Sequence, residues 1–130
     1  MTDISAAAPR GDLTIRTTAM PADTNSAGDI FGGWVLSQMD IAGAVAAVER
    51  VGGRVVTVAI EAMTFIAPVK VGDVFSVYTE IARIGSTSIT VSMEAWTSSA
   101  TRPHLMKVTE GKFVYVALDE HGRKRQIAGA

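Results

Sequence analysis

The chain has no cysteine and only two histidines among its 130 residues. The first absence excludes disulfides, thiol nucleophiles and cysteine-built metal sites. The second leaves nothing spaced as a metal-ligand set: His104 falls at a strand start and His121 in a turn, and no second ligand accompanies either. Charge is also sparse, 19% of residues with a net of −1, and no basic block precedes the C-terminus, so nucleic acid is not expected as a partner. No apolar run approaches the ~18 residues of a membrane span, so no membrane partner is expected. Met1 to Gly11 places Asp3 where a signal peptide has a basic start, and no apolar core follows. A cytoplasmic protein is the expectation.

Hydrophobic residues make up 48% of the sequence. The mean hydropathy of +0.26 is high for a small soluble domain. A chain of this length reads as one domain with a real core. The expected division is a flexible leader over residues 1–11 and a single domain over 12–127. The surplus apolar surface points to a subunit interface.

In chain order, Asp12 to Thr18 alternates Leu13, Ile15 and Thr17 against Thr14, Arg16 and Thr18, the pattern of a one-sided strand. Met20 to Asp29 is dense in turn and cap formers, and long ordered loops tend to be functional. From Gly32 to Arg50 the period is helical. Trp34, Ile41, Val45 and Val48 share one side; Gly33, Leu36, Asp40, Gly43 and Ala47 share the other. With few polar positions all round, this helix is expected to be buried, and Gly52-Gly53 ends it. Four long strands follow, over Arg54–Ala67, Val74–Ile84, Thr87–Thr97 and His104–Leu118, joined as antiparallel hairpins. One helix cannot cover both faces of five strands. The simplest burial wraps the sheet around the helix and pairs the result with a second copy.

Asp40 stands out, set among Met39, Ile41, Ala42 and Gly43. An ionised carboxylate in apolar company is costly unless paired or used, so it is either a structural partner or a catalyst. Asn25 is a turn residue whose amide is also suited to a polar site. Gly32 and Gly33 put bare backbone N–H groups at a helix N-terminus, suited to an oxyanion or simply to close packing.

Ala22-Asp23-Thr24-Asn25-Ser26-Ala27-Gly28-Asp29-Ile30-Phe31-Gly32-Gly33-Trp34 followed by Ser37-Gln38-Met39-Asp40 closely resembles the signature of hotdog-fold acyl-CoA thioesterases of the bacterial YciA type, related to the vertebrate cytosolic acyl-CoA hydrolases. Arg54 to Val58, Phe65 to Pro68, Val71 to Asp73 and Gly85 to Ser88 are similar to later blocks of that family, so the resemblance runs from about Leu13 to Ile127.

It implies an α+β hotdog fold, a five-stranded antiparallel sheet wrapped around one long central helix. The implied activity is hydrolysis of an acyl-CoA to free acid and CoA, over short to medium chains, without metal or cofactor; CoA enters only as part of the substrate. Asp40 matches the catalytic carboxylate, as general base or nucleophile, and Asn25 the second polar residue. Gly85, Ser86, Thr87 and Ser88 look like the CoA-contacting loop, and Arg54, Val55, Val56 and Thr57 like part of the pantetheine channel. Arg123 to Arg125 are a weaker candidate for the nucleotide phosphates. The implied assembly is a homo-oligomer, commonly a trimer of hotdog dimers.

Along a helix, Gly32 and Asp40 are about 12 Å apart. One thioester carbon cannot touch both. Either the Gly-Gly turn folds back outside the helix, or a partner subunit supplies half of the site. Two rivals stand beside hydrolysis. A thioester hydratase or dehydratase needs a histidine near the helix start, and residues 20–53 contain none. A non-catalytic acyl-CoA sensor would lack Asp40 or carry a DNA-binding segment.

Overall fold

In the computed structural model, residues 8–129 are described. Five strands, β1 (Asp12–Thr18), β2 (Val55–Phe65), β3 (Val74–Ile84), β4 (Ser88–Ser99) and β5 (Arg102–Ala117), form one antiparallel sheet in the order β1-β3-β4-β5-β2. One helix, α1 (Gly32–Val51), packs against the sheet and touches all five strands. This is the expected α+β arrangement.

Two of the expected hairpins are present. Residues 85–87 turn β3 into β4, and residues 100–101 turn β4 into β5. The polar Ser98–Pro103 connection is tighter than expected, because Ser99 pairs directly with Arg102 and most of the stretch is strand. The β2–β3 connection is not a hairpin. After Phe65 the chain crosses the sheet, so β2 pairs with β5 at one edge while β3 pairs with β1 near the other. Residues 66–73, which include Pro68, give the length that a crossing needs and a tight turn does not.

The core lies between α1 and the inward side chains Phe75 and Val77 of β3, Ile89, Val91, Met93 and Ala95 of β4, and Phe113 and Tyr115 of β5. Val35, Met39, Ala42, Gly43 and Ala47 form the buried face of α1. Trp34 meets Phe75 edge-on, ring centroids 5.1 Å apart. Gly52 ends the helix in the left-handed region (φ 75°), its N–H bonding Val48 O.

Contrary to the expectation from its pattern, the helix is not buried all round. Ile41, Val45 and Val48 form a stripe 42–49% exposed. Strand β2 leaves one edge unpaired and exposes Val56, Val58 and Ile60. Apolar periodicity reports what must be covered, and a single protomer does not cover it all.

Of the expected flexible leader, residues 1–7 lie outside the described residues. Arg10 is tied down: its N–H bonds Glu94 Oε1 at 3.1 Å and its guanidinium bonds Glu80. After β5, Leu118 pairs with Lys124 as a single bridge, and Ile127 packs into the core.

Candidate active site

Asp40 sits in the ninth position of α1, half-buried against the sheet. Thr57 of β2 donates its hydroxyl to Asp40 Oδ1 at 2.7 Å. The Tyr115 hydroxyl lies 3.0 Å from the same Oδ1 and 2.9 Å from the main-chain oxygen of Asp40. Thr57 and Tyr115 are opposite each other across the β2–β5 ladder, so both reach the helix from the same row of the sheet. Oδ2 has no hydrogen-bond partner among the described residues. One carboxylate oxygen is therefore held in place and the other is left open.

Tyr115 is fully buried. Its burial, the nearby Asp40 charge and the hydrogen bond to that carboxylate push the phenol far above its ordinary range, against a smaller opposing contribution from Thr57. Its hydroxyl therefore stays protonated and acts as a permanent donor.

The turn before α1 is a separate construction. Asn25 Oδ1 accepts the N–H groups of Ala27 (2.9 Å) and Asp29 (3.1 Å), which closes an Asx-type loop. Its amide nitrogen has no partner among the described residues and is left to donate elsewhere. Asp23 accepts from Met20 N through its side chain and from Phe31 N through its carbonyl. Asp29 pairs with Lys70. Both carboxylates hold the loop together. Gly32 and Gly33 are the first two residues of α1 and both are exposed.

The helix is regular from Gly32, so the Gly-Gly turn does not fold back, and the separation of about 12 Å stands. Asn25, Gly32 and Gly33 are gathered at the N-terminal end of α1. Asp40, Thr57 and Tyr115 lie further along it. The Arg54–Thr57 and Gly85–Ser88 segments come together at the far end, flanking the last residues of β5. Arg54 O accepts from Leu118 N (2.9 Å) and Thr87 O from Ala117 N (2.9 Å), while Val55 and Val56 pair with Ala117 and Val116. Ser86 O is also used, by Ile127 N at 2.8 Å. The N–H groups of Ser86 and Thr87 have no acceptor among the described residues.

Residues 27–103 match the family described as the Thioesterase superfamily, more than half of the chain. The acyl-CoA thioester hydrolase YciA of Salmonella typhimurium is 52% identical over 122 residues, 92% of this chain and 92% of that one. The chain belongs to the thioesterase superfamily. The hexameric thioesterase y2039 of Yersinia pestis superposes with a TM-score of 0.90 at 48% identity, covering 95% of this chain and 100% of that one. A hexameric broad-specificity acyl-coenzyme A thioesterase, solved as an aspartate-to-alanine mutant enzyme, gives a TM-score of 0.89 at 46% identity, covering 92% and 88%. The fold is thereby the hotdog fold of these thioesterases.

Two features of this thioesterase escaped the sequence reading. Thr57 was placed only along a channel, whereas its hydroxyl bonds Asp40. Tyr115 is not among the expected site residues, although a tyrosine alternating with Phe113 and Ala117 on an inward strand face needs a partner for its hydroxyl. Arg125 is not available to phosphate in the expected way: its guanidinium bonds Val51 O at 3.0 Å and Leu118 O at 3.4 Å, capping the end of α1. His104 and His121 are exposed, and neither hydrogen-bonds Asp40.

Proposed function

We propose that the protein hydrolyses acyl-CoA thioesters to free acid and CoA, with Asp40 as the catalytic carboxylate. The observation that carries the site assignment is the asymmetric setting of Asp40. Two donors fix Oδ1, and Oδ2 faces no internal partner. In the base route, Oδ2 takes a proton from water as the water oxygen attacks the thioester carbon. The carbonyl oxygen becomes an oxyanion. Its collapse breaks the C–S bond, and the CoA thiolate receives the proton. In the nucleophile route, Oδ2 attacks the same carbon, CoA leaves, and water hydrolyses the mixed anhydride. Water is the sole co-reactant in either, and neither route includes a metal or cofactor.

The oxyanion donors are the N–H groups of Gly32 and Gly33 with the Asn25 amide. Because Gly32 lies about 12 Å from Asp40 along one helix, the proposed site is composite: Asp40, Thr57 and Tyr115 from one protomer, and the Asn25–Gly33 loop from its neighbour. The two protomers join through the open β2 edge and cover the Ile41–Val48 stripe. Three such dimers make the proposed hexamer; the similar thioesterase of Yersinia pestis is hexameric. Pantetheine passes Arg54–Thr57, and the free N–H groups of Ser86 and Thr87 meet its polar atoms. The proposed location is the cytoplasm; among the described residues no helix is long and apolar enough to cross a membrane.

The test is release of free thiol from butyryl-CoA and myristoyl-CoA by the wild type and Asp40→Ala. Turnover lost by about 100-fold or more in a folded, assembled variant is the expected result. An inactive wild type that binds CoA would make the protein a sensor. An active Asp40→Ala would move the chemistry to another residue.

A further inference from the structure

The Thr109 hydroxyl is the one buried side-chain oxygen without a hydrogen-bond partner among the described residues. Thr109 is fully buried and lines a slot of about 350 Å³ at the N-terminal end of α1, bounded by Gly32, Val35, Phe65, Ile66 and Val69. It stands in a row across the sheet between Phe65 of β2 and Ala95 of β4, on the side facing the helix. The lining is otherwise apolar except for Asp29, whose carboxylate is paired with Lys70. Valine has the same shape and would fill the position without stranding a hydroxyl, so the fold alone gives this oxygen no use. A mostly apolar slot lined by one buried hydroxyl without a partner has the composition of a ligand pocket.

We propose that this slot receives the acyl chain, and that Thr109 recognises an oxygen carried on that chain. The proposal rests on the hydrolase reading above. A thioester carbon held at Gly32–Gly33 points its acyl substituent along Val35 and Phe65 toward Thr109. A hydroxyl that both donates and accepts satisfies a hydroxyl or an oxo group equally well. The substrate class is a short acyl-CoA with an oxygen substituent on the chain. A site that supplies a hydrogen bond discriminates against the analogue lacking the group more strongly than an apolar pocket discriminates by size.

The experiment compares kcat/KM for butyryl-CoA, 3-hydroxybutyryl-CoA and 4-hydroxybutyryl-CoA in the full-length wild type, Thr109→Val and Thr109→Ser. The expected result is a wild-type preference for one hydroxylated substrate over butyryl-CoA. Thr109→Val should lose that preference by about tenfold or more, and Thr109→Ser should keep it. Ratios that are the same in all three proteins would overturn the assignment, as would an equal loss on every substrate in Thr109→Val. A wild type inactive on all three substrates would instead remove the hydrolase reading, and this one with it.

Discussion

A Cβ atom on Gly43 would stand 2.2 Å from the hydroxyl oxygen of Tyr115 and 2.9 Å from Met93 Cε. Gly43 lies one helical turn after Asp40, so the gap it leaves is where Tyr115 reaches the carboxylate. Gly43→Ala is expected to push the hydroxyl off Asp40, destabilising the fold by about 1–3 kcal/mol through overpacking and lowering kcat. Combining it with Tyr115→Phe removes the clashing oxygen, so the double variant should be less destabilised than the sum of the two. Denaturant midpoints for the four proteins of that cycle check this; strict additivity would show that the two groups do not compete for the same space.

Tyr115→Phe on its own keeps the ring and its packing and removes one donor from Asp40. The expected effect is about tenfold on kcat, with KM unchanged, because the hydroxyl is buried behind the carboxylate and touches no substrate. The accompanying loss of stability is about 1 kcal/mol, the net worth of an ordinary buried hydrogen bond. A variant with raised KM and unchanged kcat would place Tyr115 in substrate binding instead.

A composite site has a signature that no single-chain site shares. Asp40→Ala and Asn25→Ala each disable every site in their own homo-oligomers. When the two chains are co-expressed, a mixed dimer carries one site with both substitutions and one with neither. Random pairing then restores about a quarter of wild-type turnover. Purified mixed assemblies assayed on butyryl-CoA decide the matter: no recovery above the two parents would mean that each chain builds its site alone.

Much of this was legible from residue order, and the exceptions have physical causes. Turn-formers in Met20–Asp29, the three-and-four spacing from Gly33 to Ala47 and the alternation in β4 are local patterns, and each appears where expected. The same spacing put Asp40 and Gly43 on one face of the helix. What it could not give was the strand that meets that face. Thr57 and Tyr115 are 58 residues apart in sequence and adjacent only because β2 crosses to pair with β5. The hairpin rule would have placed β2 beside β3. The exposed stripe of Ile41, Val45 and Val48 is a further case: period reveals an apolar surface, not which molecule covers it.

The open edge of β2 gives a direct probe of assembly. Val58 is 55% exposed in the protomer, next to Val56 and Ile60. A charge there is tolerated by a monomer and opposed by a strand-to-strand interface. Val58→Lys is expected to leave the protomer folded, shift sedimentation to smaller species and abolish turnover together with assembly. Retention of a wild-type sedimentation profile would place the interface elsewhere.

On the opposite face of the sheet, Glu94 predicts a pH dependence that belongs to stability and not to catalysis. Burial on its own would raise its carboxyl, but the Arg10 N–H, the Trp96 indole N–H at 3.0 Å and the Lys107 ammonium at 3.2 Å hold it below its ordinary value of 4.5. A carboxyl depressed in the folded state binds fewer protons there than in the unfolded chain. Its stabilisation is complete above the unfolded value and is lost as pH falls through the lower folded value. Wild-type stability should therefore decline on acidification below about pH 4.5. Glu94→Gln should be less stable at pH 7, by roughly 1–3 kcal/mol for a lost charged hydrogen-bond cluster, and should show a shallower acid decline. Thermal unfolding between pH 3 and 7 reads both. Parallel curves for the two proteins would mean that the cluster of Arg10, Trp96 and Lys107 does not stabilise the ionised form.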